Sequence, residues 1–209
     1  MLKINFTNSD FAISDFSNQI WRKASSTAIN KYWSGKEAAP ERHAATRLLW
    51  SDSYLYVRFD AVQKEPLVVS KKPILTEKTE GLWERDVCEL FLAPDKENRN
   101  EYFEFEIAPT GEWVDLEIRQ KENERETNLA YSSKMETSVS IENGKVLMAM
   151  KIGWNAFGKT PAAGDIWLGN LFRVLGEGET RGYLAWNPTE TETANFHVPY
   201  KFGEFEFVN

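Results

Sequence analysis

The sequence is poor in the residues that build metal centres and covalent cross-links. It has one cysteine, Cys88, and two histidines, His43 and His197, among 209 residues. One cysteine excludes an intrachain disulfide and a thiolate cluster, and two histidines nearly exclude a multi-histidine metal site. There is no Gly-rich phosphate loop that ends in Lys, and neither histidine accompanies a Gly-x-Ser-x-Gly motif. Nucleotide binding and serine-based hydrolysis are therefore not indicated.

Positive charge and long apolar runs are also scarce. The sequence has 25 Lys and Arg against 32 Asp and Glu, a formal net charge of −7. Such a chain repels phosphate backbones and anionic lipid, so we expect neither nucleic acid nor a membrane as a partner. The longest apolar run, Val146 to Met150, is far shorter than the roughly 20 residues that cross a bilayer. No apolar signal segment follows Met1, so we expect a cytoplasmic protein, or a secreted one if a leader has been removed.

Alternation of apolar and polar residues dominates the chain from about residue 46 onward. It runs through residues 54–61, 103–107, 114–119, 146–152 and 204–207, which is typical of strands with one buried face. Two further apolar segments, 87–92 and 166–175, are also predicted as strands, and the first of these is expected to be central. Turn residues at 109–111 and 142–145 predict two hairpins.

These strands follow one another without a linker, and helical periodicity is limited to one turn at 154–157. The sequence therefore predicts an all-β sandwich, with residues 1–209 as a single domain. The less regular N-terminal third is expected to wrap the edges of the sandwich. Loops are predicted at Gln63–Gly81, Gln120–Asn128 and Thr189–Asn195, and long loops on a rigid sandwich often carry function.

Aromatic residues are abundant, at 13% of the chain. Trp50, Trp154 and Trp167 are expected in the core, whereas Trp83 and Trp186 occupy polar settings at loop ends, where we expect exposed rings. An indole face is flat and electron-rich, so the C–H groups of a pyranose ring can lie on it. Two facing indoles would form a slot for one sugar ring.

Two other functions remain open. Alternation places Glu104 with Glu106 on one sheet face and Asp115 with Glu117 on one face of the neighbouring strand, and two such carboxylates at the right spacing would make a glycoside hydrolase. We expect these acidic faces to be solvated. Haem binding would need axial ligands such as Met148 or Met150, but both lie in an apolar stripe that predicts core packing.

Three motifs resemble, in order, those of family 9 carbohydrate-binding modules. The first is Thr46–Val57, which is similar to an early strand pair of the family. The second, Leu82–Leu92, places an aromatic residue before Asp and Glu at a fixed spacing. The third is the C-terminal series Leu184–Pro188, Phe196–Pro199 and Lys201–Gly203. The resemblance covers the chain from about residue 18 onward.

The resemblance implies a jelly-roll-like antiparallel β-sandwich that binds a mono-, oligo- or polysaccharide without catalysis. It implies a terminal sugar held between Trp83 and Trp186, with a hydroxyl group donating to Glu89. The resemblance also assigns roles to three further polar residues. Asp86 is expected to orient the loop or to bind sugar directly, Asn170 to contribute an amide, and Arg173 to donate two hydrogen bonds to vicinal hydroxyls.

The resemblance also raises two questions about this chain. Some relatives have an arginine at the position that aligns with Glu106, so the ligand is expected to differ or binding to be lost. No cofactor is required, although the family often carries structural calcium held by loop carboxylates and carbonyls.

Overall fold

The computed structural model describes residues 1–122 and 124–209, so Asn123, within the predicted loop Gln120–Asn128, lies outside the described residues. The described residues form fourteen strands joined by loops and short 3₁₀ turns. The strands are β1 Leu2–Phe6, β2 Ser26–Ile29, β3 Lys31–Tyr32, β4 Ala44–Trp50, β5 Tyr54–Val62, β6 Val87–Ala93, β7 Glu101–Ile107, β8 Trp113–Gln120, β9 Arg125–Asn128, β10 Glu136–Glu142, β11 Lys145–Gly153, β12 Ile166–Leu175, β13 Gly182–Ala185 and β14 Gly203–Val208. The 3₁₀ turns are Gln19–Lys23, Pro40–Arg42, Leu82–Glu84, Trp154–Phe157, Gly178–Thr180 and Pro199–Lys201.

The strands form one continuous hydrogen-bonded path that folds over into two layers. One layer has the order β10-β11-β5-β4 and the other the order β14-β12-β6-β7-β8-β9, with β1 between β4 and β14. Outside this path, β2 pairs with β4, and β13 pairs with both β12 and β3. All pairings are antiparallel except those of β1, which runs parallel to both β4 and β14. The predicted antiparallel sandwich is therefore correct apart from this parallel junction.

Three clusters of buried side chains follow from the alternation along the strands. The largest fills the space between the layers and includes the expected Trp50, Trp154 and Trp167. The second covers the outer face of β12, β6, β7 and β8 and includes Phe91 and Phe172. The third lies outside β4 and β5 beneath the N-terminal segment. The N-terminal third thus covers a face of the sandwich rather than only its edges.

The apolar patterns located seven of the fourteen strands, and the two predicted hairpins join β7 to β8 and β10 to β11. Strand β6 is central, between β12 and β7, and all seven of its residues are buried. The predicted loop Gln120–Asn128 is wrong at its C-terminal end, because Arg125–Asn128 form β9 as an edge strand against β8. Among the described residues, no helix is long and apolar enough to cross a membrane.

Candidate functional site

A cavity of about 470 Å³ opens on the outer face of the second layer. This volume lies within the roughly 300–1,000 Å³ that small-molecule sites occupy. Strands β6, β7 and β8 form its floor, and β9 closes one side with Arg125 and Thr127. The loops that carry Trp83 and residues 194–197 form the remaining walls.

Trp83 stands at the edge of this cavity on a short, well-anchored turn. Gly81 adopts a left-handed conformation, with φ of 78°, that begins the 3₁₀ turn Leu82–Glu84. Leu82 is buried in the outer cluster, while Trp83 keeps 37% of its surface exposed. The guanidinium of Arg181 donates to the Trp83 carbonyl oxygen at 2.6 Å. These contacts fix the backbone of Trp83, and its ring presents a large apolar surface to solvent.

A second group of aromatic side chains lines the cavity. Phe196 stacks on Phe172 with ring centroids 3.9 Å apart and planes at 10°. Tyr183 packs edge-on to Phe196, with centroids 6.1 Å apart. The loop that carries Phe196 is fixed where the Trp33 indole N–H donates to the Thr191 carbonyl oxygen at 3.1 Å. The cavity thus has apolar walls contributed by residues that are far apart in the sequence.

Three glutamates lie together beneath these walls. Glu89 on β6 is directly opposite Glu106 on β7, and Glu104 lies two residues earlier on the same face of β7. Their nearest carboxylate oxygens all lie within 4.8 Å of one another, and Glu89 and Glu104 line the cavity directly. The predicted solvated acidic face is wrong here, because these side chains are almost fully buried.

The second predicted acidic pair faces elsewhere. Asp115 is paired with Phe105, so it faces the interior between the layers rather than the outer face. There its carboxylate Oδ1 forms an ion pair with the Nζ of Lys78 at 2.7 Å. Glu117 lies on the same side of β8 but at its exposed end. The two acidic pairs therefore do not form a single surface.

Burial controls the protonation of the cavity glutamates. It raises the pKa of Glu104 to about 7. It also raises the pKa of Glu89 and Glu106 well above the ordinary value, and the neighbouring carboxylates add to this effect. Not all three can be ionised at pH 7, because like charges this close repel. The cluster therefore offers both hydrogen-bond donors and acceptors to the cavity.

His197 lies against the same cluster without carrying charge. Burial lowers the pKa of its imidazole to about 3, so the 3.9 Å approach of Nε2 to Glu104 is not an ion pair at neutral pH. Its Nδ1 is hydrogen-bonded to the Tyr102 hydroxyl group at 2.8 Å. His197 is thus a neutral polar group in the cavity wall.

The structure does not bring Trp83 and Trp186 together. The Trp186 backbone N–H donates to the Leu171 carbonyl oxygen at 2.8 Å, which continues the antiparallel pairing of β13 with β12. Trp186 therefore lies on the same side as Leu171, partly buried against the interlayer core, and its ring centroid lies 5.2 Å from that of Phe205. The structure gives no support to the expected slot between two tryptophans, because alternation directs Trp186 to the face opposite the cavity.

Three other predicted site residues bind the protein's own backbone. Asn170 is fully buried, and its amide both donates to and accepts from the backbone of Asn187. Arg173 donates to the carbonyl oxygens of Arg42 and His43 at 2.8 Å each. Neither side chain lines the cavity, so the structure gives no support to their expected contacts with sugar.

Asp86 is also buried, and its Oδ1 accepts from the Gly176 backbone N–H at 2.8 Å. Of the two roles expected for it, the structure shows the loop-orienting one. Only Trp83 and Glu89, among the six predicted site residues, line the cavity.

Among the side chains that line the cavity but that sequence reasoning did not assign to the sugar site are Glu104, Tyr183, Phe196 and His197. Alternation had already placed Glu104 on one face of its strand with Glu106. The signal that was missing is the pairing of β6 with β7, which sets these glutamates against Glu89. Phe196 and His197 lie in an irregular segment, where no periodicity indicates which way a side chain points.

The resemblance implies a calcium ion held by loop carboxylates and carbonyls. The described residues contain no group of three acidic side chains in a loop that could hold it. Among residues 1–122 and 124–209, one group of three acidic side chains comes close enough to hold an ion, and it is the strand-borne cluster of Glu89, Glu104 and Glu106. Calcium takes six to eight oxygen ligands, usually from loops. These residues do not fit the loop site that the resemblance implies.

Solved structures with this fold have been described with sugars. A carbohydrate binding module of family 9 from Caldicellulosiruptor kristjanssonii in complex with glucose aligns with a TM-score of 0.69 and 15% identity over 98% of this chain and 95% of that chain. Its complex with cellotriose aligns equally well over 99% and 93%. A structure from Bacteroides uniformis ascribed to a carbohydrate-binding protein aligns with a TM-score of 0.77 and 15% identity over 99% and 98%. At this identity the likeness establishes the fold.

Sequence comparison identifies the family itself. Endo-1,4-beta-xylanase A of Thermotoga maritima is 23% identical over 169 residues, which are 79% of this chain but only 14% of the xylanase. The chain thus corresponds to a small part of that enzyme's length. The profile of the family described as carbohydrate family 9 binding domain-like matches residues 15–209. The chain therefore belongs to the carbohydrate family 9 binding domain-like family.

Proposed function

We propose that this chain binds a saccharide in the cavity beside Trp83 and does not cleave it. The observation that carries the proposal is a tryptophan ring, 37% exposed, at the edge of a cavity with a carboxylate floor. This combination of an apolar platform and converging polar groups suits a pyranose, which has apolar C–H faces and a rim of hydroxyl groups. Family membership and the two sugar complexes of its neighbours support the same ligand class.

We propose that Trp83 supplies one stacking surface and that Tyr183 and Phe196 bound the sugar on the other side. This replaces the stacking of a terminal sugar between Trp83 and Trp186. Phe196 is backed by Phe172, so it forms a rigid surface with little conformational entropy to lose on binding. Aromatic side chains that are already in place favour binding, because fewer rotamers are immobilised in the complex.

The polar groups of the cavity would read the hydroxyl groups of the sugar. Glu89 and Glu104 line the floor, and Arg125 lies at one side. A protonated carboxyl donates one hydrogen bond and accepts others, whereas an ionised one only accepts. Because burial raises the pKa of both glutamates, the floor can match hydroxyl groups in either role.

Binding without hydrolysis follows from the same electrostatics. A glycosidase needs two carboxyls in different states, one protonated as the acid and one ionised as the nucleophile or base. Here the pKa is raised at all three glutamates by burial, and none of them pairs with an arginine or lysine among the described residues. Burial, the largest influence on each of the three, acts against the ionised form that a nucleophile or base requires.

Haem binding receives less support. Met148 and Met150 are buried between the layers, on the far side of the sheet from the cavity. His197 does line the cavity, but its Nδ1 is already bonded to Tyr102. Two axial ligands therefore do not converge on this cavity.

The test is calorimetric titration of the purified chain with glucose and cellotriose, together with Trp83→Ala. Truncating a central aromatic contact costs about 2 kcal/mol or more, so we expect at least a 30-fold loss of affinity. Tyr200→Ala is the matched control, because Tyr200 is an exposed aromatic residue outside the cavity. Equal affinities for Trp83→Ala and the parent would refute the site, and release of reducing sugar from cellotriose would refute binding without hydrolysis.

A further inference from the structure

The floor of the cavity brings together three carboxyl groups that cannot all be ionised in the free protein. Glu89, Glu104 and Glu106 form no salt bridge with lysine or arginine among the described residues. Like-charged residues directly opposite each other on paired strands destabilise a sheet. Such an arrangement costs stability in the free protein, so a binding role is the more economical explanation.

The hydrogen-bonding groups of this cluster are also unsatisfied. Both carboxylate oxygens of Glu106 and Oε2 of Glu104 are buried and have no hydrogen-bond partner outside the cluster, in which Glu104 and Glu106 can share a proton. Buried polar atoms are paired in the great majority of cases. Glu104 is only 4% exposed and lines the cavity. The unpaired Glu104 oxygen therefore belongs to a side chain that a ligand in the cavity can reach, and Glu106 lies on the same face of β7, opposite Glu89.

We propose that the saccharide bound in this cavity carries a protonated amine, that is, an amino sugar with a free amino group, and that its ammonium is held by Glu89, Glu104 and Glu106. This inference rests on the proposed sugar-binding function and specifies its ligand. An ammonium group has three donors and no acceptor, so one donor is available for each glutamate.

The geometry of the cluster suits this group. For three atoms that lie within 4.8 Å of one another, there is a point within about 2.8 Å of all three. That is the length of a charge-assisted N–H···O hydrogen bond. An ammonium nitrogen at this point satisfies one oxygen of each glutamate, and a neutral hydroxyl group, with a single donor, satisfies only one of them.

The surroundings of the cavity favour a cation as well. Glu80 and Glu84 add carboxylates at the exposed edge, while Arg125 is the one cation among the described lining residues. A cleft with an excess of one sign raises the local concentration of ligands of the opposite sign. The face of Trp83 is electron-rich and also attracts cations. An amino sugar can therefore stack on Trp83 while its amine reaches the acidic floor.

Occupation by an ammonium would change the protonation of the cluster. In the free protein, burial and mutual repulsion raise the pKa of all three carboxyls. A bound cation favours the ionised carboxylates and lowers these pKa values. Protons that the cluster held are then released to the buffer, and no bond is made or broken. Proton release is a signature that simple stacking would not produce.

The experiment compares D-glucosamine, N-acetyl-D-glucosamine and D-glucose by calorimetric titration at pH 6.5, in two buffers with different heats of ionisation. We expect glucosamine to bind at least tenfold more tightly than glucose, with an enthalpy that depends on the buffer. N-acetylation removes the charge and should abolish the preference. Glu106→Gln should abolish it while leaving glucose binding, whereas Glu142→Gln, which removes an exposed glutamate outside the cavity, should keep it.

Each outcome separates this inference from the proposed function. Binding of glucose without a preference for glucosamine would overturn the inference and leave sugar binding intact. Binding of none of the three sugars would count against both. Calcium that binds the parent but not Glu106→Gln, and that competes with glucosamine, would overturn it in favour of a metal site. A preference that survives in Glu106→Gln would show that the amine binds elsewhere.

Discussion

The buried glutamates should make the stability of this domain fall as the pH rises through neutrality. Burial raises the pKa of Glu104 to about 7 from an ordinary value of 4.5. Between these values the folded protein holds a proton that the unfolded chain has released. Unfolding then releases a proton, so a rise in pH favours the unfolded state. The contribution is fully present below pH 4.5 and is lost as the pH passes through 7.

The gap between the two pKa values of Glu104 corresponds to about 3 kcal/mol, at roughly 1.4 kcal/mol per pH unit. Glu104→Gln removes this titration and also relieves the repulsion that raises the pKa of Glu89. The quantity to compare is the free energy of unfolding of the wild type minus that of the variant. His197 contributes with the opposite sign to both proteins, and the difference removes its contribution. Burial lowers its pKa to about 3, so its contribution is present above pH 6.5 and is lost as the pH falls.

The assay is urea unfolding followed by tryptophan fluorescence between pH 4.5 and 8.5. The free energy of unfolding of the wild type, relative to Glu104→Gln, should fall by about 3 kcal/mol across this range. Glu84→Gln is the control, since it makes the same substitution at an exposed position of the cavity. It should follow the wild-type profile. If Glu104→Gln and the wild type have parallel profiles, the carboxyl is not buried in the way described.

Two further variants test the core of the fold and a corrected residue. Gly169→Ala should destabilise the protein by about 1–3 kcal/mol in urea unfolding, because an added Cβ would lie 2.2 Å from the Phe91 carbonyl oxygen on the neighbouring strand; an unchanged midpoint would contradict this close packing. Arg173→Lys should lower stability, because a lysine cannot reproduce the hydrogen bonds of the guanidinium to Arg42 and His43. Its sugar affinity should stay within about twofold of the parent, and a larger loss by titration would restore Arg173 to the site.

Most of the fold was accessible from the sequence because alternation reports burial directly. Strands β5, β7 and β12 follow their apolar patterns closely. The parallel junction of β1 was not accessible, because Leu2–Phe6 has the same alternation in either pairing direction. Strand β9 was taken for a loop, since all four of its residues are exposed and charged or polar, and only pairing with β8 makes it a strand.

The site was less accessible than the fold. Glu89 and Trp83 came from a motif that keeps fixed spacing within one short segment, and the structure places both at the cavity. Trp186 was expected at the site because its neighbours in the sequence are polar. Such a neighbourhood does not determine which side of the sheet a residue faces, and Trp186 faces the interlayer core. Arg173 and Asn170 lie outside the cavity, because these buried polar side chains on a central strand form hydrogen bonds with backbone groups. The three-glutamate cluster depended on cross-strand register, which a single sequence does not contain.

The position of β1 has a consequence for how this protein is made. The first strand pairs with the last, from Leu2 beside Phe205 to Asn5 beside Val208. During synthesis the N-terminal strand must wait for almost the entire chain before its partner leaves the ribosome. Contacts between distant parts of a chain form slowly. Nascent chains should therefore remain vulnerable to proteases until β14 has emerged, and removing residues 204–209 should leave the two layers unjoined.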